Sequence, residues 1–202
     1  MTETIPDGCS CGTGAIPDRD TLLRKAKEFH GDMCAGIVLG TRMTMAGLRE
    51  LGMDPAKKNR NLIVYVEIDR CIADAIQAIT GCSLGHRTLK YKPFGKFAAT
   101  YIDISNGNAV RVAVLEKKRT EKTGKEAMKE AITILLDTPE PELLRITKVN
   151  VAIPDGDMPG MPKHRARCSQ CNEMIVDDKE VTRDGAVLCG NCASGSYFSV
   201  IE

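Results

Sequence analysis

Residues 97–115 read FAATYIDISNGNAVRVAVL, two β-forming runs on either side of Asn106-Gly107. An Asn-Gly pair accepts the positive φ that both central positions of a type I′ turn demand, so 97–105 and 109–115 are expected to pair antiparallel. Upstream, NLIVYVEI at 61–68 is a further β-rich run. It feeds directly into a short amphipathic helix that begins at Cys71 and is stopped by Gly81. Two helices precede these strands. One is capped by Asp18 or Asp20 and runs to about Phe29, with Leu22, Leu23, Ala26 and Phe29 on one face. The other covers 34–51, where Gly36 and Gly40 each cost about 0.5–1 kcal/mol relative to alanine, a cost that makes sense if a backbone or a ligand approaches closely.

Downstream, Thr123 to Glu126 has the form of a capping box opening a helix to Leu136, and a last strand is expected at 146–153. Helices first, then strands and helices mixed around one hairpin, give an α+β fold with helices packed on an antiparallel sheet. Three prolines between Pro154 and Pro162 break the periodicity. The expected organisation is an arm at 1–17, a core domain at 18–153, a linker at 154–163 and a small module at 164–202.

The chain has 202 residues, with 28 Lys+Arg against 27 Asp+Glu, a formal net charge of +1. That balance provides no broad cationic surface for nucleic acid or anionic lipid. No apolar run approaches the roughly 18 residues that span a bilayer, and residues 1–15 lack the basic and apolar regions of a secretory signal, so the expectation is a cytoplasmic protein. Nine cysteines in such a protein do not form a disulfide framework. They bind metal, react or fill core space.

Cys168-x2-Cys171 and Cys189-x2-Cys192 are separated by 17 residues, the spacing of a four-cysteine zinc site. A module of roughly 40 residues has too little core to fold without such a staple. The order of knuckle, hairpin and second pair at a helix start points to a treble clef or zinc ribbon. Lys163, His164, Arg165 and Arg167 precede the first cysteine, either as a solvated basic stretch or as a contact for an acidic partner or phosphate.

A second constellation lies in the core. His30 and Cys34 flank the junction of the first two helices, and Cys71 opens the third with Asp74 one turn on. Helix N-termini favour thiolate over thiol, which makes Cys34 and Cys71 candidate catalytic nucleophiles or metal ligands. Cys82 is a weaker addition. One buried histidine and three small apolar cysteines scattered through a core would present the same sequence.

The run from His30 to Met43, HGDMCAGIVLGTRM, resembles the HGHxCPGxxxGxRM signature of the E-subunit family of molybdenum or tungsten formylmethanofuran dehydrogenases. Glu67-x3-Cys71-x2-Asp74-Ala75-x-Gln77, followed by Gly81-Cys82, is similar to that family's second block. Asp32 replaces the family's second histidine and Ala35 its proline. The resemblance implies an α+β core followed by a zinc finger. It also implies an accessory role in one-carbon metabolism beside a molybdenum or tungsten enzyme, because the chain has no pterin-cofactor or iron–sulfur pattern of its own. Whether it is an enzyme stays open.

The site reading is therefore a zinc ion on Cys168, Cys171, Cys189 and Cys192, and a second metal or thiolate site at His30, Cys34 and Cys71 with Asp74 or Asp32 behind them. Expected partners are a second copy of the chain and the components of a molybdenum or tungsten enzyme. The alternative is a zinc-finger interaction or regulatory module that binds a partner protein or nucleic acid.

Overall fold

The computed structural model describes residues 17–115 and 124–201. Asp18 caps α1 (Arg19–His30) by accepting the Thr21 N–H on its carboxylate at 2.7 Å. Gly31, at φ 105°, then reverses the chain. Cys34 is the N-cap of α2 (Ala35–Glu50). β1 (Leu62–Val66) leads to α3 (Ile72–Thr80), which ends on the left-handed Gly81. β2 (Leu89–Tyr91), β3 (Ala98–Asp103) and β4 (Ala109–Val114) follow. After them come α4 (Gly124–Asp137), the short α5 (Glu140–Leu143) and β5 (Leu144–Val149). No described helix is long and apolar enough to cross a membrane.

The five strands form one sheet in the order β2-β1-β3-β4-β5. Three of its pairings are antiparallel, as expected, but β1 and β2 are parallel, so the sheet is mixed. The cause is α3, which carries the chain back to the end where β1 began. All five residues of β1 are buried because both faces of the sheet are covered. Leu62, Val64 and Val66 join Tyr101, Val110 and Val112 in a core shared with Met43, Leu48, Ile72 and Ile76 of the helices. On the opposite face Ile63, Tyr65 and Ile102 meet Val149, Val151, Ile153 and Met158.

The turn at Asn106-Gly107 differs from the expected type I′. Ile102 pairs with Ala109, the Asp103 N–H donates to the Asn108 carbonyl at 2.9 Å, and only Gly107 of the pair has positive φ, 78°. The loop therefore spans residues 104–107. Asp103 draws it in, accepting from the Ser105 N–H at 2.9 Å, the Ser105 hydroxyl at 2.6 Å and the Asn106 amide at 3.0 Å. These local bonds outcompete the two-residue turn. The expected final strand starts earlier and stops at Val149, and the helix expected to 136 extends to Asp137. Thr123 of the capping box, and Cys9 and Cys11, lie outside the described residues.

A 3-10 turn (Asp155–Asp157) packs back on the sheet, with Tyr65 donating its hydroxyl to Asp157 at 3.0 Å. Beyond it two hairpins, β6 (Arg165–Arg167) with β7 (Met174–Val176) and β8 (Val181–Arg183) with β9 (Ala186–Leu188), precede α6 (Gly190–Ser194). This is the knuckle, hairpin and helix order of a treble-clef or zinc-ribbon module. Arg87, on the loop before β2, reaches the carbonyls of Gly156 and Met158 and forms an ion pair with Asp177 of the module.

Candidate functional site

His30 closes α1, Cys34 caps α2 and Cys71 caps α3, so three helix ends meet at one point. The close approach of α2 and α3 makes this possible. A Cβ on Gly40 would lie 2.7 Å from that of Ala75 and 2.8 Å from Cα of Ile72, so only glycine lets the two backbones touch there. One ligand atom each from His30, Cys34 and Cys71 lies within 4.8 Å of the other two, and all three residues are half-buried.

Asp74, one turn into α3, orients the imidazole. Its Oδ2 lies 2.7 Å from His30 Nδ1, while Gln77 donates its amide to Oδ1 at 3.5 Å. A proton held on Nδ1 by the carboxylate leaves the Nε2 lone pair free, and Nε2 is 3.8 Å from Cys34 Sγ. Cys34 also caps its own helix, accepting the Ile37 N–H at 3.4 Å.

Cys71 behaves differently from the expectation of a depressed thiol at a helix start. Burial pushes its pKa up, and the neighbouring Cys34 sulfur reinforces that. Desolvation outweighs the local backbone hydrogen bond that would lower it. Two other sequence candidates fall outside the trio. Cys82 is 3% exposed, its thiol directed at the Leu62 carbonyl, and burial pushes its pKa up. It is a core residue. Asp32 is exposed, so Asp74 is the carboxylate at the site.

Glu67, the first residue of the second motif block, is buried and grips Arg111 with both oxygens, at 2.6 and 2.7 Å. Its role is to tie β1 to β4. A cavity of about 520 Å³ lies between Arg19, at the start of α1, and Arg49, near the end of α2. It is therefore at the opposite end of the helix pair from the trio.

In the module, ligand atoms of Cys168, Cys171, Cys189 and Cys192 likewise lie within 4.8 Å of one another, with 3.8 Å between the Cys171 and Cys189 sulfurs. A tetrahedral ion with thiolate bonds of about 2.3 Å spaces its sulfurs roughly 3.8 Å apart. The Cys171 and Cys189 N–H groups point at Cys168 and hold its thiol down at about 6. The adjacent Cys189 sulfur pushes Cys192 up to about 12. One thiolate is thus already favoured among four crowded sulfurs. Both cysteine clusters have the donor set and the spacing to hold a metal ion, and none of the described cysteines forms a disulfide.

Residues 29–148, more than half of the chain and the whole of the His30, Cys34, Cys71 and Asp74 constellation, match the family described as FmdE, molybdenum formylmethanofuran dehydrogenase operon. The chain belongs to the FmdE family. A curated relative in Archaeoglobus fulgidus, described as a "Probable S-adenosyl-L-methionine-binding protein", is 30% identical over 89% of this chain. The match takes in 54% of that relative, so the chain spans about half its length. The crystal structure of a tungsten formylmethanofuran dehydrogenase FmdE-like protein from Syntrophus aciditrophicus superposes with a TM-score of 0.59 at 24% identity, covering 90% of this chain and 95% of the other. That likeness establishes the shared α+β fold.

Proposed function

We propose that this FmdE-family chain is a metal-dependent accessory protein whose working centre is the His30, Cys34 and Cys71 trio, and whose four-cysteine module is a structural zinc finger. The observation that carries this reading is the Asp74–His30–Cys34 chain of contacts. A carboxylate on one imidazole nitrogen, with the other directed at the remaining ligands, is the usual support for a metal-binding histidine. Three protein donors is the ligand count of catalytic rather than structural zinc centres, whereas four thiolates make a closed structural site. A bound ion would supply Lewis acidity at the trio. The protein's own share is to hold His30 in one tautomer through Asp74, to position the two sulfurs from separate helix ends, and to shield them with Met33, Ile37 and Ala75.

Membership in a family described by a molybdenum formylmethanofuran dehydrogenase operon supports a place beside a molybdenum or tungsten enzyme of one-carbon metabolism, and the proposal places the chain in the cytoplasm. We extend the proposal to a homodimer, on the exposed Phe29 beside His30 and the exposed Phe94 and Phe97. The nucleic-acid alternative has less support. Two side chains of its basic stretch already have partners within the module, Arg167 donating to the Asn172 carbonyl at 2.8 Å and His164 lying 2.9 Å from Glu180.

The test is metal content of the anaerobically purified full chain. Cys34→Ser and Cys71→Ser should each lose the same equivalent of metal while the finger stays loaded. Wild-type content in either variant would overturn the core assignment. S-adenosyl-L-methionine, named for the curated relative, is the first organic ligand to titrate against the wild type and the two variants.

A further inference from the structure

Beyond the two cysteine clusters, the described residues contain a third convergence of metal-ligating side chains. His164, Asp178 and Glu180 each place a ligand atom within 4.8 Å of the other two. His164 Nε2 lies 2.9 Å from Glu180 Oε1. The second Glu180 oxygen, Oε2, is buried and receives no hydrogen bond from the described residues, in a side chain that is only 21% exposed. A carboxylate oxygen shut off from both donors and solvent is costly, and a cation is the partner that satisfies it without rearranging the loop.

The backbone explains how the three meet. Arg165 pairs with Val176, so His164 lies beside the end of β7 where the chain turns towards β8. Asp177 and Asp178 both adopt left-handed φ, 64° and 55°, and the chain doubles back through them. From 177 to 180 the side chains then divide between the core and His164, with Asp178 close to both: its Oδ2 would lie 3.2 Å from a Cβ on Gly156. Asp177 meets Arg87 and Lys179 donates to Asp157 at 3.0 Å, both on the core side. Asp178 and Glu180 meet His164. The same short turn thus docks the module on the core through Asp177 and Lys179 and brings Asp178 and Glu180 to His164.

We infer that His164, Asp178 and Glu180 form a binding site for a divalent first-row transition ion of the zinc class, and that the ion pins the 177–180 turn in the conformation that holds the finger on the core. One imidazole nitrogen with carboxylate oxygens selects that class over magnesium or calcium, which take oxygen donors. The site is separate from the four-cysteine centre. His164 and Cys168 stand at opposite ends of β6, four residues or about 13 Å apart at strand rise, too far to share one ion.

The experiment uses the full chain with its cysteine centres loaded, dialysed against micromolar free zinc, with bound metal counted by mass spectrometry and amide exchange followed across 177–180. His164→Ala and Glu180→Gln should each bind one zinc fewer than wild type, and should lose the zinc-dependent slowing of exchange in that segment. His164 is exposed on the module, and Gln keeps the shape of the half-buried Glu180. Cys34→Ser removes a different equivalent and leaves the exchange response intact, so failure of the core reading is distinguishable from failure of this one. Equal zinc in wild type, His164→Ala and Glu180→Gln would reduce the cluster to a histidine–carboxylate contact and overturn the proposal. So would exchange at 177–180 that does not respond to zinc.

Discussion

Gly36 faces Cys71 so closely that a methyl group on it would lie 2.7 Å from Cys71 Cβ and 3.4 Å from Cys71 Sγ. The glycine is what allows the second sulfur to reach the first, since the same methyl would lie 3.6 Å from Cys34 Sγ. Gly36→Ala is therefore expected to push α3 away from α2, costing about 1–3 kcal/mol of stability as an overpacking strain. It should also weaken metal retention at the trio while leaving the finger loaded. Denaturant midpoints and metal counts on one preparation check both; full metal retention would mean that the two cysteines do not depend on this contact.

Asp74 acts through His30, its carboxylate bonded to that imidazole and to the Gln77 amide. Asp74→Ala should lower metal affinity at the trio by roughly 10–100-fold, the usual cost of losing such a supporting group. Asp74→Asn keeps an acceptor oxygen for the Nδ1 proton and should fall between the two. A competition titration with a chelator measures this. Equal affinities in all three proteins would show that the carboxylate plays no part.

Cys168 is 1% exposed and receives the Cys189 N–H at 3.3 Å, which places it at the centre of the module's cysteine cluster. Its replacement by Ser should release one zinc and expose the segment after β6 to protease, because two three-residue hairpins cannot hold a core unaided. The core sheet should retain its own cooperative unfolding. A Cys168→Ser protein with full zinc and a resistant module would refute the assignment.

How far the sequence reaches is clearest in the sheet. Alternation along 97–115 reveals β3 and β4 because Tyr101 and Ile102 face opposite buried layers. β2 is not legible. Its three residues include one buried side chain, Leu89, and its parallel pairing depends on where α3 returns the chain. The trio is legible as three helix ends, and the carboxylate behind it narrows to two residues that only packing can separate. His164, Asp178 and Glu180 carry no spacing signature, because two positive-φ aspartates and a strand register bring them together.

The loop after β3 gives a test of backbone conformation alone. Gly107 has φ 78° and no atom near its missing side chain, so a substitution meets backbone strain and no clash. Gly107→Val should lower stability by about 1–2 kcal/mol, the cost of a β-branched residue in the left-handed region. Asn106→Ala should cost less, because Asn106 already has ordinary φ and loses only side-chain bonds to Asp103 and Asn108. Thermal melts of the two variants check the order; the reverse order would restore a type I′ turn.

Asp157 joins core and module through opposite oxygens, taking the Tyr65 hydroxyl on Oδ2 and the Lys179 ammonium on Oδ1, each at 3.0 Å. Burial alone would raise its pKa, but the donors from Lys179 and Tyr65, helped by the charge of Lys90, outweigh burial and bring it below the ordinary carboxylate value. A group whose folded pKa is depressed binds its proton more readily when unfolded, so its stabilisation is complete above the unfolded pKa of about 3.9 and is lost as pH falls through the folded value. Asp157→Asn preserves shape and removes the charge. At neutral pH it should cost about 1.5–3 kcal/mol, the range for hydrogen bonds to a charged group. The gap to wild type should close as the pH drops below the folded pKa, where the native aspartate is itself protonated. Denaturant midpoints of the two proteins at pH 7 and along an acid series measure the gap directly, and a gap that stays constant throughout would show that Asp157 contributes by shape and not by charge.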